Sequence, residues 1–166
     1  LHKSLLISKQ IGIKLKIKSA TVSCAESCTG GWISKIFTDT VGSSSWFEFG
    51  FITYSNKAKE KLLGIDNTLL IKFGGVSEVI VREMALGAQR KSGSSYSIAV
   101  SGIAGPNSVN FENPVGKVWF GFVRPDNKVF TIYHLFKGNR ELIRRQSVYW
   151  ALQIFYNEFL ANIITK

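Results

Sequence analysis

The sequence predicts an α/β fold, a three-layer α/β/α sandwich built on a mixed sheet. Two observations carry that reading. Short runs rich in β-branched and aromatic residues alternate along the chain with stretches of helical periodicity, and two such runs then follow one another directly before a last helical stretch. Alternation asks for parallel strands with helices on both faces, and the adjacent pair adds an antiparallel part.

The elements follow in order. The beginning is ambiguous: Ile11, Ile13, Leu15 and Ile17 alternate with Gly12, Lys14 and Lys16 as in a strand, whereas Leu6, Gln10 and Ile13 are spaced as on a helix. TVSCA (21–25) reads as a buried strand, and GWISKIFTD opens a helix with Trp32, Ile33, Ile36 and Phe37 on its apolar side. WFEFGFITYS (46–55) has the aromatic and β-branched content of a strand. NKAKEKLLG is a short helix with Asn56 as its N-cap and Gly64 past its end. A helix over 78–91 lies between Ser77 as cap and Gly93 as stop. YSIAVSGIAGP is a buried strand running into a glycine-rich loop. GKVWFGFVRP and KVFTIYHLF pair through a turn at RPDNK, where Pro125, Asp126 and Asn127 suit the bend. NRELIRRQSVYWALQIFYNEFLANII (139–164) closes the chain as a long helix.

The length of 166 residues suits one domain over 1–166. No apolar run is long enough to span a bilayer, and in LHKSLLISKQ lysine and glutamine return too soon for a signal peptide. The expectation is a soluble, cytoplasmic protein without membrane partners. Cys24 and Cys28 stand four apart with no further thiols, and His2 and His134 are isolated, so no zinc ligand set is present and no metal or cofactor is expected. The cysteines read as small, partly buried thiols, with a reactive Cys28 as the alternative. The net charge of +10 favours anionic partners. Its clusters, KLKIK (14–18), KAKEK (57–61) and NRELIRR (139–145), carry no interleaved aromatics and no DNA-binding spacing, which favours a solvated basic surface over specific nucleic-acid recognition.

One stretch carries chemistry. SCAESCTGGW (23–32) places a turn of small residues between a buried strand and a helix, with Ser27 in its middle and Gly30 and Gly31 allowing close approach. Such a mount presents backbone N–H groups and a positive helix end to an anion or to a tetrahedral oxyanion. No Walker A, G-x-G-x-x-G, G-x-S-x-G or S-x-x-K spacing occurs. A serine nucleophile needs a base, and neither histidine is well placed. TYSNKAK (53–59) offers Tyr54 at a strand end with Lys57 and Lys59 after it. An ordinary lysine is neutral in only about one molecule in 2500 at pH 7, so a lysine base must be desolvated or crowded by positive charge. Otherwise the tyrosine is packing and the lysines are solvated.

AESCTGG (25–31), SSSWFEFGFITYSNKAK (43–59), GGVSEVIVREMALGA (74–88), SGIAGP (101–106) and NPVGKVWFGF (113–122) follow in the order and spacing of one family. The chain resembles the CinA C-terminal family, over nearly its whole length. The one departure is Val79 where a proline is common. The resemblance implies an α/β/α domain with residues 4–18 mainly helical, a homo-oligomer, and metal-free hydrolysis of the carboxamide of nicotinamide mononucleotide to nicotinate mononucleotide and ammonia. Carried over residue by residue, it implies Ser27 as nucleophile, Tyr54 and Lys59 as its partners, and Lys57 as a neighbour able to depress Lys59. Backbone N–H groups of Cys28, Thr29, Gly30 and Gly31 would hold the oxyanion. Ser101 and Gly102 would line the pocket, and Arg140, Arg144 or Arg145 would meet the substrate phosphate. Apolar residues on several faces of the last helix (Val148, Leu152, Phe155 and Phe159 on one, Trp150, Ile154 and Tyr156 on others) independently suggest a second buried contact, hence a dimer or a dimer of dimers. Rival readings are a catalytically silent nucleotide-binding or interaction module and a nucleic-acid binder.

Overall fold

The computed structural model describes residues 2–163; Leu1 and the last three residues, including the expected helix end at Ile164, lie outside the described residues. The elements are α1 (His2–Ile17), β1 (Val22–Glu26), α2 (Trp32–Thr38), β2 (Phe47–Ile52), α3 (Asn56–Leu63), α4 (Asn67–Phe73), α5 (Glu78–Ser92), β3 (Tyr96–Gly102), β4 (Lys117–Val123), β5 (Val129–Leu135) and α6 (Arg140–Phe155), with a π-helical turn at Tyr156–Leu160. The five strands form one mixed sheet in the order β2-β1-β3-β4-β5. β1 is parallel to both β2 and β3, while β4 and β5 continue antiparallel from β3.

Strand alternation sorts side chains between the two helical layers. Cys24, Ile98, Val100, Val118, Phe120 and Phe122 face a core shared with α1, α2 and α6, including Ile11, Leu15, Ile33, Phe37, Leu152 and Phe155. The intervening Ala25, Ala99 and Val123 face α5, α3 and α4 through Ile80, Val81, Met84, Leu63 and Leu70. Small residues on that side let α5 lie close to the sheet: a Cβ on Gly121 would stand 2.7 Å from the Val81 carbonyl oxygen. Successive crossovers from β1 to β2 and from β2 to β3 use opposite layers. The chain therefore changes direction at the carboxyl end of β1, where open α/β sheets leave a crevice for ligands.

One open reading is decided and three expectations change. The first segment is helix, as the family resemblance implies and against the alternation at 11–17. Ser4, Ser8, Ile11, Gly12 and Leu15 form the buried face, while Ile13 and Ile17 are exposed. Gly12 is part of the reason, because a Cβ there would stand 2.8 Å from the Trp46 indole. The cap of α3 is Ser55, not Asn56: its Oγ accepts the Ala58 N–H at 3.0 Å. The helix α4 arises where no element is expected, started by Asp66, which accepts from the Thr68 N–H at 2.8 Å. Finally, the closing helix passes into the π-helical turn after Phe155. Trp150, Ile154, Tyr156 and Phe159 are partly buried against the core shared with α1. The caps expected at Ser77 and the stops at Gly64 and Gly93 are in place.

Candidate active site

Ser27 follows the last residue of β1, with its N–H bound to the Val100 carbonyl of β3 at 3.0 Å. The turn after it needs left-handed backbone at Gly30 (φ 60°) and Gly31 (φ 99°), which explains the glycine pair. Behind the turn lies a residue that motif reading passed over. Glu26 is fully buried. One carboxylate oxygen accepts from the Thr29 hydroxyl at 2.7 Å and the Ile33 N–H at 2.8 Å, and the other from the Ser34 N–H at 3.1 Å and the Ser34 hydroxyl at 2.7 Å. The first N–H groups of α2 are thus occupied by Glu26 rather than presented to a ligand, contrary to the simple helix-end expectation. The Cys28 and Thr29 N–H groups, by contrast, donate to no protein oxygen among the described residues. The sequence signal for Glu26 is a carboxylate ending an otherwise apolar strand just ahead of Ser-Cys-Thr-Gly-Gly.

Lys59 enters from α3 and is 2% exposed. Its Nζ donates to Ser27 Oγ at 3.2 Å, to the Thr53 carbonyl at 2.9 Å and to the Tyr54 carbonyl at 3.3 Å. The Ser27 hydroxyl donates to the same Tyr54 carbonyl at 3.3 Å. Burial lowers the Lys59 pKa to about 8, with Cys28 acting in the opposite direction. Lys57 is exposed, and desolvation rather than a second cation is the cause. At that value about one molecule in ten carries a neutral amine at pH 7, against about one in 2500 for an ordinary lysine. Burial pushes the Cys28 thiol up to about 12 and raises Cys24 well above the usual range, so both thiols stay protonated and neither is a nucleophile at neutral pH.

The Tyr54 phenol does not lie between Lys59 and Ser27. It is exposed, and its hydroxyl accepts from Arg140 Nη2 at 3.3 Å, while Arg140 Nη1 donates to the Gly105 carbonyl at 2.6 Å. Ser27, Cys28, Tyr54, Lys59, Ser101, Gly102 and Arg140 line one cleft of about 630 Å³. Ser101 is buried, and its hydroxyl is spent on the Gly75 carbonyl at 2.7 Å, where it pins the loop that forms the cleft wall. Gly102 is required by close approach, since a Cβ would stand 2.8 Å from the Lys117 carbonyl oxygen. Asn56, Lys72, Glu112 and Asn113 also line the cleft and were not among the site residues expected from sequence.

The three candidate arginines separate clearly. Arg144 turns inward and clamps the turn, Nε to the Cys28 carbonyl at 2.9 Å and Nη2 to the Thr29 carbonyl at 3.3 Å, with its guanidinium 5.5 Å from the Trp32 ring centroid. Arg145 pairs with Glu141 at 2.9 Å and lines a different depression. Only Arg140 of the three reaches the cleft. Among the described residues no group of three or more His, Cys, Asp or Glu side chains is placed to hold a metal ion, and no helix is long and apolar enough to cross a membrane.

A five-stranded α/β frame with a buried lysine against a serine at its switch point defines the class of protein. The model of the CinA C-terminal domain family matches residues 5–159. The chain belongs to that family. It is 47% identical over 156 residues to the nicotinamide-nucleotide amidohydrolase PncC of Escherichia coli K12, covering 94% of both chains. A protein of the same name from Pseudomonas putida is 42% identical over 146 residues, covering 88% of this chain and 91% of its own. Among solved structures, the competence damage-inducible protein A (ComA) of Klebsiella pneumoniae superposes with a TM-score of 0.91 at 29% identity, covering 96% of this chain and 98% of its own.

Proposed function

We propose that the protein hydrolyses the carboxamide of nicotinamide mononucleotide, releasing nicotinate mononucleotide and ammonia. The names of its relatives supply the substrate. The observation that carries the chemistry is the buried Lys59 amine 3.2 Å from Ser27 Oγ. Neutral Lys59 takes the Ser27 proton as Oγ attacks the amide carbon. The resulting oxyanion sits against the Cys28 and Thr29 N–H groups. Protonated Lys59 then returns its proton to the leaving nitrogen, the C–N bond breaks, ammonia departs and an ester remains on Ser27. Water attacks that ester with Lys59 again as base, which frees the carboxylate and restores the serine. No step asks for a metal. With Lys59 in direct contact with Ser27, Tyr54 needs no relay role: its carbonyl positions both groups, and its phenol works with Arg140 at the cleft mouth.

The deciding experiment is ammonia release from nicotinamide mononucleotide by the purified protein, beside Ser27→Ala. Turnover is expected in the wild type and a loss of at least about a thousandfold in the variant, with unchanged circular dichroism. A folded Ser27→Ala protein that keeps its rate ends the covalent reading. Arg140 is assigned to the substrate phosphate. Arg140→Ala should raise KM about tenfold or more for the mononucleotide, as expected for losing a charge-assisted hydrogen bond, and should leave KM for the phosphate-free nucleoside nearly unchanged. Equal effects on both substrates would remove the assignment.

The net charge alone supports the nucleic-acid reading. Raising salt from about 50 to 200 mM should abolish DNA binding by orders of magnitude while KM for the nucleotide moves only a few-fold, because one pocketed ion pair is screened far less than many phosphate contacts. Tight, sequence-selective DNA binding at the higher salt without amide hydrolysis would favour the binder.

A further inference from the structure

Both histidines of the chain, 2 and 134, fall in one place. They line a second cleft, of about 480 Å³, which shares no lining residue with the cleft around Ser27. His134 on β5 stacks on Trp150 of α6 with ring centroids 4.3 Å apart and an interplanar angle of 28°. Phe136 stands edge-on to Trp150 at 5.8 Å and 4.6 Å from the His134 ring, closing the aromatic wall. The indole N–H of Trp150 is buried and has no acceptor among the described residues, an unusual state for a buried donor. Lys3 and Arg145 supply positive charge at the same cleft, and Glu141 engages one Arg145 nitrogen, Nη2, at 2.9 Å.

We propose that this cleft is a second binding site, for a planar aromatic ring that carries an anionic group. Its parts match the two halves of such a ligand. The His134–Trp150 stack offers a face on which a third ring can lie, in the offset geometry aromatic systems favour. Lys3 and the remaining donors of Arg145 meet the anion, a guanidinium being suited to both carboxylate and phosphate. Sites of this kind are mostly apolar, with a few convergent polar groups. The anion can be the phosphate of a nucleotide or the carboxylate of an aryl acid, and the chemistry of the cleft admits both. Arg145 adjoins Arg144 on α6, whose guanidinium holds the turn beside Ser27. An occupant here therefore touches the helix that steadies the catalytic turn.

The two histidines make the test specific, since their imidazole Hε1 signals in the NMR spectrum of the intact protein report on this cleft alone. Adenosine monophosphate and nicotinate are titrated separately, with inorganic phosphate and adenosine as controls. The expected result is that both histidine signals shift along one saturating curve with at least one of the two probes. Arg145→Ala should weaken that binding at least about tenfold, and Trp150→Phe, which narrows the stacking surface, should weaken it less. Saturation by adenosine monophosphate alone assigns the anion to a nucleotide phosphate, and by nicotinate alone to an aryl carboxylate. Unmoved signals at millimolar probe, equal shifts with inorganic phosphate, or undiminished binding in a folded Arg145→Ala protein would each overturn the proposal.

Discussion

Lys59→Met should lose about 10²- to 10⁴-fold in turnover and gain stability at the same time. The buried ammonium is costly: a pKa lowered from 10.5 to about 8 corresponds to about 3 kcal/mol of destabilisation below pH 8. Between about pH 8 and 10.5 the unfolded chain holds a proton on this residue that the folded chain has released. Wild-type stability therefore climbs with pH relative to the variant across that window, by about 3 kcal/mol in all. Methionine mimics the neutral side chain but cannot serve the Thr53 and Tyr54 carbonyls. The net gain near pH 7 is thus smaller, about 1–3 kcal/mol. Denaturant midpoints of both proteins from pH 7 to 10.5 check the sign. Parallel curves would show that Lys59 titrates normally. Wild-type kcat/KM should rise about tenfold per unit below about pH 7, gain about another tenfold in all above it, and level off past about pH 8–9, as neutral Lys59 accumulates. Lys59→Arg, which keeps a charge it cannot shed, should be inactive.

The second large effect is expected at Glu26. Glu26→Ala removes the acceptor for four donors and leaves the Ile33 and Ser34 N–H groups buried without partners. A loss of about 3–5 kcal/mol follows, a large share of the stability of an ordinary domain. Glu26→Gln keeps the shape and one oxygen but turns an NH₂ toward donors, so its cost is smaller, about 2 kcal/mol. Urea unfolding of the three proteins should rank them wild type, Gln, Ala. An alanine variant as stable as the wild type would mean that water satisfies those donors and that the carboxylate does not organise the turn.

The layer order was legible because it rests on local signals, alternating periodicities and capping residues, whereas spacing left Lys57 and Lys59 both open and only the family resemblance joined Lys59 to Ser27. Glu26 was not legible, because nothing in its neighbours announces that a carboxylate will face inward to collect N–H groups. The arginines could not be separated for a different reason. Arg140, Arg144 and Arg145 share about a turn and a half of helix, and which one reaches the cleft depends on how α6 docks, which is set by distant residues such as Val148 and Leu152. The seven residues of α4 are too few to show a period. At the start of the chain the strand-like alternation misled because the buried face, Ser4, Ser8, Ile11, Gly12 and Leu15, is built partly of small residues that carry no hydrophobic signal.

The junction of β1 and β2 has a consequence for how this site can change. Just beyond the last paired residues of the two strands, the Thr53 N–H donates to the Glu26 carbonyl at 2.8 Å. Ser27 follows the acceptor, and the carbonyls of Thr53 and Tyr54 hold Lys59. Under the proposed function, the reacting distance is therefore set by main-chain pairing of β1 with the edge strand β2. The cleft rim is built by other segments, those carrying Lys72, Gly75 and Glu112. Those segments can lengthen, shorten or exchange side chains while the serine and the amine keep their spacing. Under the proposed function this divides labour, so that a different amide would be accommodated by redrawing the rim with Ser27 and Lys59 left untouched.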